Sequence, residues 1–156
     1  MQEPFVHLVY SRNVIEFVTV AREYCQFLES TDNYPKKKFV EVSLKVLPLL
    51  YLKAVSLPKP EPELDDATDH FVSEMDYMAI KMALETKMGA HNDYLEVFTP
   101  DIDRSEAALT ACIAEDMTDI YQDLKDFLGN YRTGATELMN EALAEFPSYC
   151  CAGCRT

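Results

Sequence analysis

The chain has 156 residues, 48% of them hydrophobic and 26% charged, enough apolar material for one buried core and too much for a wholly disordered chain. Its 27 acidic against 14 basic side chains leave a net charge of −13, a field that repels phosphate backbones and excludes non-specific DNA or RNA binding. With only four glycines and eight prolines to make turns, a many-stranded sandwich or barrel is disfavoured.

The N-terminal MQEPFVHLVYSRN lacks the basic start, apolar centre and small-residue cleavage site of a signal peptide. The longest apolar run, Val46 to Leu52, is interrupted by Pro48 and too short to span a bilayer. Both point to a cytoplasmic protein with no membrane partner. A first helix is expected from Val14 to Leu28, capped by Asn13 with Glu16 as its capping-box partner. Val14, Val18, Ala21, Cys25 and Leu28 form its seam, with Phe17 and Tyr24 beside it.

Ser30 to Pro35 reads as a turn, and a second helix follows over Lys36 to Leu57. Lys36, Lys37 and Lys38 are the only basic run and read as a solvated helix entrance. Phe39, Val42, Val46, Leu50 and Ala54 share one side of this helix, while Leu44, Leu47, Tyr51 and Leu52 occupy others. Being apolar nearly all round, it is expected at the centre of the domain, kinked or broken at Pro48. The alternation of proline with charge from Pro58 to Pro62 predicts an extended linker continuing to Asp69, the segment expected to be most mobile.

Ser73 caps a third predicted helix, Glu74 to Met88, which Gly89 stops. Tyr77, Ile80, Leu84 and Met88 form its core stripe, and Met75, Met78 and Met82 share a second face. Such methionines ordinarily fill core gaps, and on an exposed face they make an adaptable interaction surface. Asn92 to Asp103 reads as a connection with a short extended piece. The dominant helix is predicted at Leu109 to Arg132, opened by Ser105 or Thr110. Its seam is Ile113, Met117, Ile120, Leu124, Phe127 and Tyr131, widened by Tyr121 and Leu128. After Gly134 a final helix places Ala135, Leu138, Met139, Ala142 and Phe146 on one face, and Pro147 ends it.

Chemistry-bearing constellations are few. Glu115, Asp119 and Asp123 lie four residues apart, flanked by Asp116 and Asp126, and carboxylates so spaced can hold Mg²⁺ or Mn²⁺. Helical nucleotide pyrophosphohydrolases use acidic residues on paired helices in this way, with Glu16 and Glu23 available here as a second set. The paired-glutamate motif of those enzymes is missing, and a solvated face with an ordinary helix charge gradient is the preferred reading. Five cysteines, three of them at the very end (Cys150, Cys151, Cys154), give one C-x-x-C pair without the further ligands that structural zinc needs. His91-Asn92-Asp93 lacks the additional histidines of a His–Asp phosphohydrolase, so His91 is expected at the preceding helix C-terminus. No phosphate loop, nucleophile elbow or HExxH is present.

Four segments carry a resemblance: YSRNVIEFVTVAREYCQFLE at Tyr10 to Glu29, LPLLYLKA at Leu47 to Ala54, DYLEVFTPD at Asp93 to Asp101, and AEDMTDIYQDLKDF at Ala114 to Phe127. In this order they resemble an uncharacterised bacterial helical family, known mainly from the Bacteroidetes and described only as a domain of unknown function. The resemblance implies an all-helical cytoplasmic protein and brings no activity, cofactor or catalytic residue with it. The chain departs from the family pattern at its end, where EFPSYCCAGCRT replaces a longer helix.

The fold expected is all-α, a single-domain bundle of about five helices over residues 1–146, followed by an irregular cysteine-containing tail, 147–156. The function expected is a non-enzymatic interaction or regulatory module with a protein partner and no cofactor. The alternative is a Mg²⁺- or Mn²⁺-dependent phosphohydrolase-like enzyme using Glu115, Asp119 and Asp123.

Overall fold

The computed structural model describes residues 6–65, 68–96 and 109–146. Its helices are α1 (Val6–Val9), α2 (Arg12–Glu29), α3 (Lys36–Val55), α4 (Glu74–Met88), α5 (Ile113–Tyr131) and α6 (Thr136–Glu145). The remaining regular structure is a two-stranded antiparallel ribbon of β1 (Asp93–Glu96) and β2 (Leu109–Cys112), with Asp93 opposite Cys112, and two single 3₁₀ turns. The all-α reading therefore stands.

The core forms where α2 and α5 lay their seams together. Phe17 of α2, Phe127 of α5 and Phe146 at the end of α6 pack mutually edge to face, with ring centroids 5.1–5.5 Å apart. Three helices thus meet in one aromatic junction, in the tilted geometry that ring quadrupoles favour. The Tyr24 hydroxyl is fully buried and donates to the Met117 carbonyl at 2.8 Å, which removes the cost of hiding it. Met117, Leu124 and Phe127 are buried as the period predicts, whereas Ile113, Ile120 and Tyr131 are half-buried because the buried stripe turns toward Tyr121.

Helix starts account for most of the differences from expectation. α5 begins at Ile113, four residues later than predicted, because 109–112 pair as β2. Thr110 lies within that strand and caps nothing, and Ser105 falls outside the described residues. Asn92 supplies the cap from across the ribbon: its side-chain oxygen accepts from Ala114 N at 2.9 Å, and its backbone carbonyl accepts from Ile113 N. α2 begins at Arg12 with Ser11 as its boundary residue, so Asn13 is already helical. Asn13 instead donates to the Ser56 carbonyl, and Glu16 lies between Arg12 at 2.7 Å and Lys53 at 2.6 Å. Both residues expected to cap α2 tie its start to the end of α3. Hydrogen bonds from Lys53, then Arg12, hold the Glu16 carboxyl below its ordinary value. The cap of α4 is as predicted: Ser73 and Asp76 close a capping box, and Gly89 at φ 55° ends the helix.

α3 is not central. It packs on the outer side of α2, where Phe39 stacks on Phe27 at 4.8 Å, and buries only Phe39, Ser43 and Leu50. The helix continues across Pro48, so a break is not the outcome realised. Pro48 is exposed, and the carbonyl it leaves without an amide partner can be hydrated. Nor is Lys36 a merely solvated residue, since its ammonium donates to the Met88 carbonyl at the end of α4 and to His91 Nδ1.

The proline-rich linker expected to be mobile is strapped to the bundle. From α6, Asn140 donates to the Glu61 carbonyl, and the buried Glu141 accepts from both Glu63 N and Leu64 N. Farther along, Asn130 of α5 exchanges two hydrogen bonds of 2.9 Å with the Asp69 backbone, accepting from its N–H and donating to its carbonyl. Asp126 accepts from Phe71 N at 2.6 Å. Asn130 thereby does for this segment what a neighbouring strand would do. Replacing Asn130 by alanine leaves those groups unpaired, and a loss of about 2–3 kcal/mol is expected. Denaturant titration checks the magnitude, and faster amide exchange confined to residues 68–73 checks the mechanism.

Candidate functional site

α5 sends its carboxylates to separate places. Glu115 pairs with Lys81 of α4 at 3.6 Å, Asp116 accepts the Tyr94 hydroxyl at 2.5 Å, and Asp119 accepts the Tyr77 hydroxyl at 2.7 Å. Asp123 lines a small hollow of about 110 Å³ with His70, Asp126 and Glu145. Glu115, Asp119 and Asp123 share a helix side yet are not brought to a common centre. Among the described residues, no three His, Cys, Asp or Glu side chains form a group able to hold a metal ion. Cys150, Cys151 and Cys154 lie outside the described residues.

In the small hollow, His70 Nδ1 is 2.9 Å from Asp126 Oδ2. That hydrogen bond, then the carboxylate's charge, raises the imidazole above its ordinary 6.5. The folded state therefore favours protonated His70. Its contribution is complete below pH 6.5 and is lost as the pH rises through the raised value. Thermal melts across this range are expected to show stability falling with pH in the wild type, and His70→Gln is expected to flatten that slope.

Cys25 is the described thiol nearest to a nucleophile's setting, at the wall of a large cleft, but burial pushes it up to about 12. It is a core thiol rather than a thiolate. Iodoacetamide at neutral pH is expected to leave Cys25 intact in the folded chain and to alkylate it in denaturant, as peptide mass mapping would show.

Among the described residues, apolar surfaces on α4 and α3 face solvent. On α4 the buried residues are Leu84 and Met88, with Tyr77 and Ile80 partly covered. Met75, Met78 and Met82 stand 83%, 44% and 58% exposed, so they do not fill the core as methionines ordinarily do. On α3 the outward row is larger: Leu44 is 70% exposed, Leu52 57%, Val55 50% and Tyr51 47%. Leu44, Pro48, Tyr51 and Val55 follow one another at spacings of four, three and four, the period of a seam that contacts another helix. The same helix carries five lysines and one glutamate, with Lys37 and Lys45 exposed, in a chain of net charge −13. Sequence periodicity flags such a helix as buried because it cannot tell which apolar face has a partner.

The family described as a domain of unknown function, DUF5063, matches residues 8–149. The chain belongs to this family. A solved structure, protein BF1032 from Bacteroides fragilis, is 41% identical, with a TM-score of 0.77, covering 88% of this chain and 79% of that one. No match was found among curated proteins. The DUF5063 assignment agrees with the resemblance seen in the sequence and assigns no activity. No helix among the described residues is long and apolar enough to cross a membrane.

Proposed function

We propose that this DUF5063 chain is a protein-interaction module that docks an acidic amphipathic helix of another protein along the outward face of α3. The observation carrying this reading is the exposed seam of Leu44, Tyr51, Leu52 and Val55, over which no element among the described residues packs, on the helix richest in lysine. Exposing that much apolar surface costs solubility unless something covers it. An amphipathic helix laid along such a seam would place its apolar side chains between Leu44 and Val55. Charge selects among partners. Lys37 and Lys45 flank the seam without a carboxylate partner among the described residues, so they complement acidic flanks. A second copy brings the same lysine-rich face to this one, in a chain whose net charge is −13, so like charges meet on both counts and a self-pair is disfavoured. The methionines of α4 offer a second adaptable surface that this reading does not require.

A photo-crosslinkable residue at position 44 or 52, activated in cells, tests the reading. The expected product is one discrete heterologous conjugate whose linked peptide is acidic and amphipathic. In binding to that peptide, a Leu44→Glu/Leu52→Glu double variant is expected to raise Kd at least tenfold, the effect of losing about 1.4 kcal/mol at an anchor. Added salt should weaken the complex. Conjugation only to copies of this chain, or no conjugate at all, overturns the proposal.

A further inference from the structure

Cations are scarce in this chain, and most of those described are already engaged. Arg12, Arg22 and Arg132 are the arginines among the described residues. Arg12 is held by Glu16, whereas Arg22 and Arg132 have no carboxylate partner among the described residues. Both line one cleft of about 1170 Å³ beside α2 and α5, on which Phe71 and Val72 form a further wall. That wall is fixed, because Asn130 grips Asp69 and Asp126 grips Phe71 N. The Phe71 ring lies so close to Gly129 that a Cβ there would collide with it.

The cleft is mixed in character. Val18, Leu128, Phe71 and Val72 supply apolar surface. Its two carboxylates are already committed. Glu29 receives the Lys125 ammonium and, at 2.8 Å, the Tyr121 hydroxyl, while Asp76 closes the capping box of α4. Lys125 is therefore balanced within the cleft, and the guanidiniums of Arg22 and Arg132 are the charges left over. Guanidinium presents a planar fork of donors suited to carboxylate or phosphate oxygens. At about 1170 Å³ the cleft is somewhat larger than the roughly 300–1,000 Å³ of small-molecule sites, so a ligand would occupy part of it.

We propose that this cleft binds an amphipathic anion: a small molecule whose apolar body lies on the Val18, Leu128 and Phe71 surface and whose carboxylate or phosphate is held by Arg22 and Arg132. A cationic ligand would meet two unneutralised guanidiniums. A bare inorganic anion would leave the apolar surface unused. The site is separate from the outward face of α3, so it goes beyond the interaction reading and does not depend on it.

Titration calorimetry on the full chain with dodecanoate and with dodecyl phosphate, both below micelle formation, tests the proposal. Decanol and inorganic phosphate serve as half-ligands. At least one amphipathic probe is expected to bind saturably at one site, and the tighter of the two identifies the headgroup. Arg22→Gln and Arg132→Gln are each expected to weaken that binding about tenfold, as loss of a charged hydrogen bond does, while leaving decanol unaffected. Both arginines are exposed, so these variants are expected to keep the wild-type melting temperature. Val18→Trp, which fills the apolar end, should abolish binding while the Leu44→Glu/Leu52→Glu variant retains it. No saturable binding of either probe, indifference to both arginine substitutions, or inorganic phosphate binding as tightly as the probes would overturn the proposal.

Discussion

The constraint on which most of this architecture turns is the need to pair the backbone of an irregular segment that lies against a helical bundle. Residues 58–65 and 68–73 have no helix or strand to satisfy their amides and carbonyls, and proline at 58, 60 and 62 removes three donors outright. The bundle answers with side chains: Asn140 and Glu141 from α6, Asn130 and Asp126 from α5. Glu141 and Asn130 are almost completely buried, so each would be costly in the core without these partners. Segment and helix need one another. The same contacts orient Phe71 and Val72, and through them one wall of the large cleft exists at all.

A second regularity follows from charge arithmetic. With 27 acidic and 14 basic side chains, ion pairing cannot neutralise the carboxylates one by one. The folded chain turns to neutral donors. Tyr77 serves Asp119, Tyr94 serves Asp116, Tyr121 shares Glu29 with Lys125, and backbone amides serve Asp126 and Glu141. The acidic side of α5 is thus more than a solvated face, and among the described residues its carboxylates do not gather at one centre. Its carboxylates act as separate acceptors that attach α4, the β-ribbon and the strap to the central helix.

What could be read in the sequence was whatever depends on short spacings. The all-α class, the body of each long helix, the Ser73 cap and the Gly89 stop all depend on residues within one or two turns. What could not be read depends on partners far away in the chain. Asn92 caps α5 from 22 residues before it, and Asn13 and Glu16, which fit a local cap, are drawn to the end of α3 about 40 residues later. Asn130 and Glu141 sit on apolar faces, where a pattern reading treats polar residues as interruptions. Each is instead the acceptor that positions the linker.

The placement of α3 shows why amphipathic period alone misjudged the layout. A helix apolar on two sides is equally consistent with burial in the middle of a bundle and with one side packed at home and one side open. The hydrophobic effect distinguishes these only by what else is present to cover the second side. Here α2 covers the Phe39–Leu50 side, while α5 takes its contacts from α2, α4 and α6, leaving no described element over Leu44 and Leu52. Burial of α5 rather than α3 follows from composition as well: α5 carries Asn130, Thr118 and five carboxylates that can bind several neighbours, whereas on α3 only Lys36 and Lys53 bind neighbouring elements and Lys37 and Lys45 reach outward. The helix best supplied with acceptors became the hub, and the more uniformly apolar one became the edge.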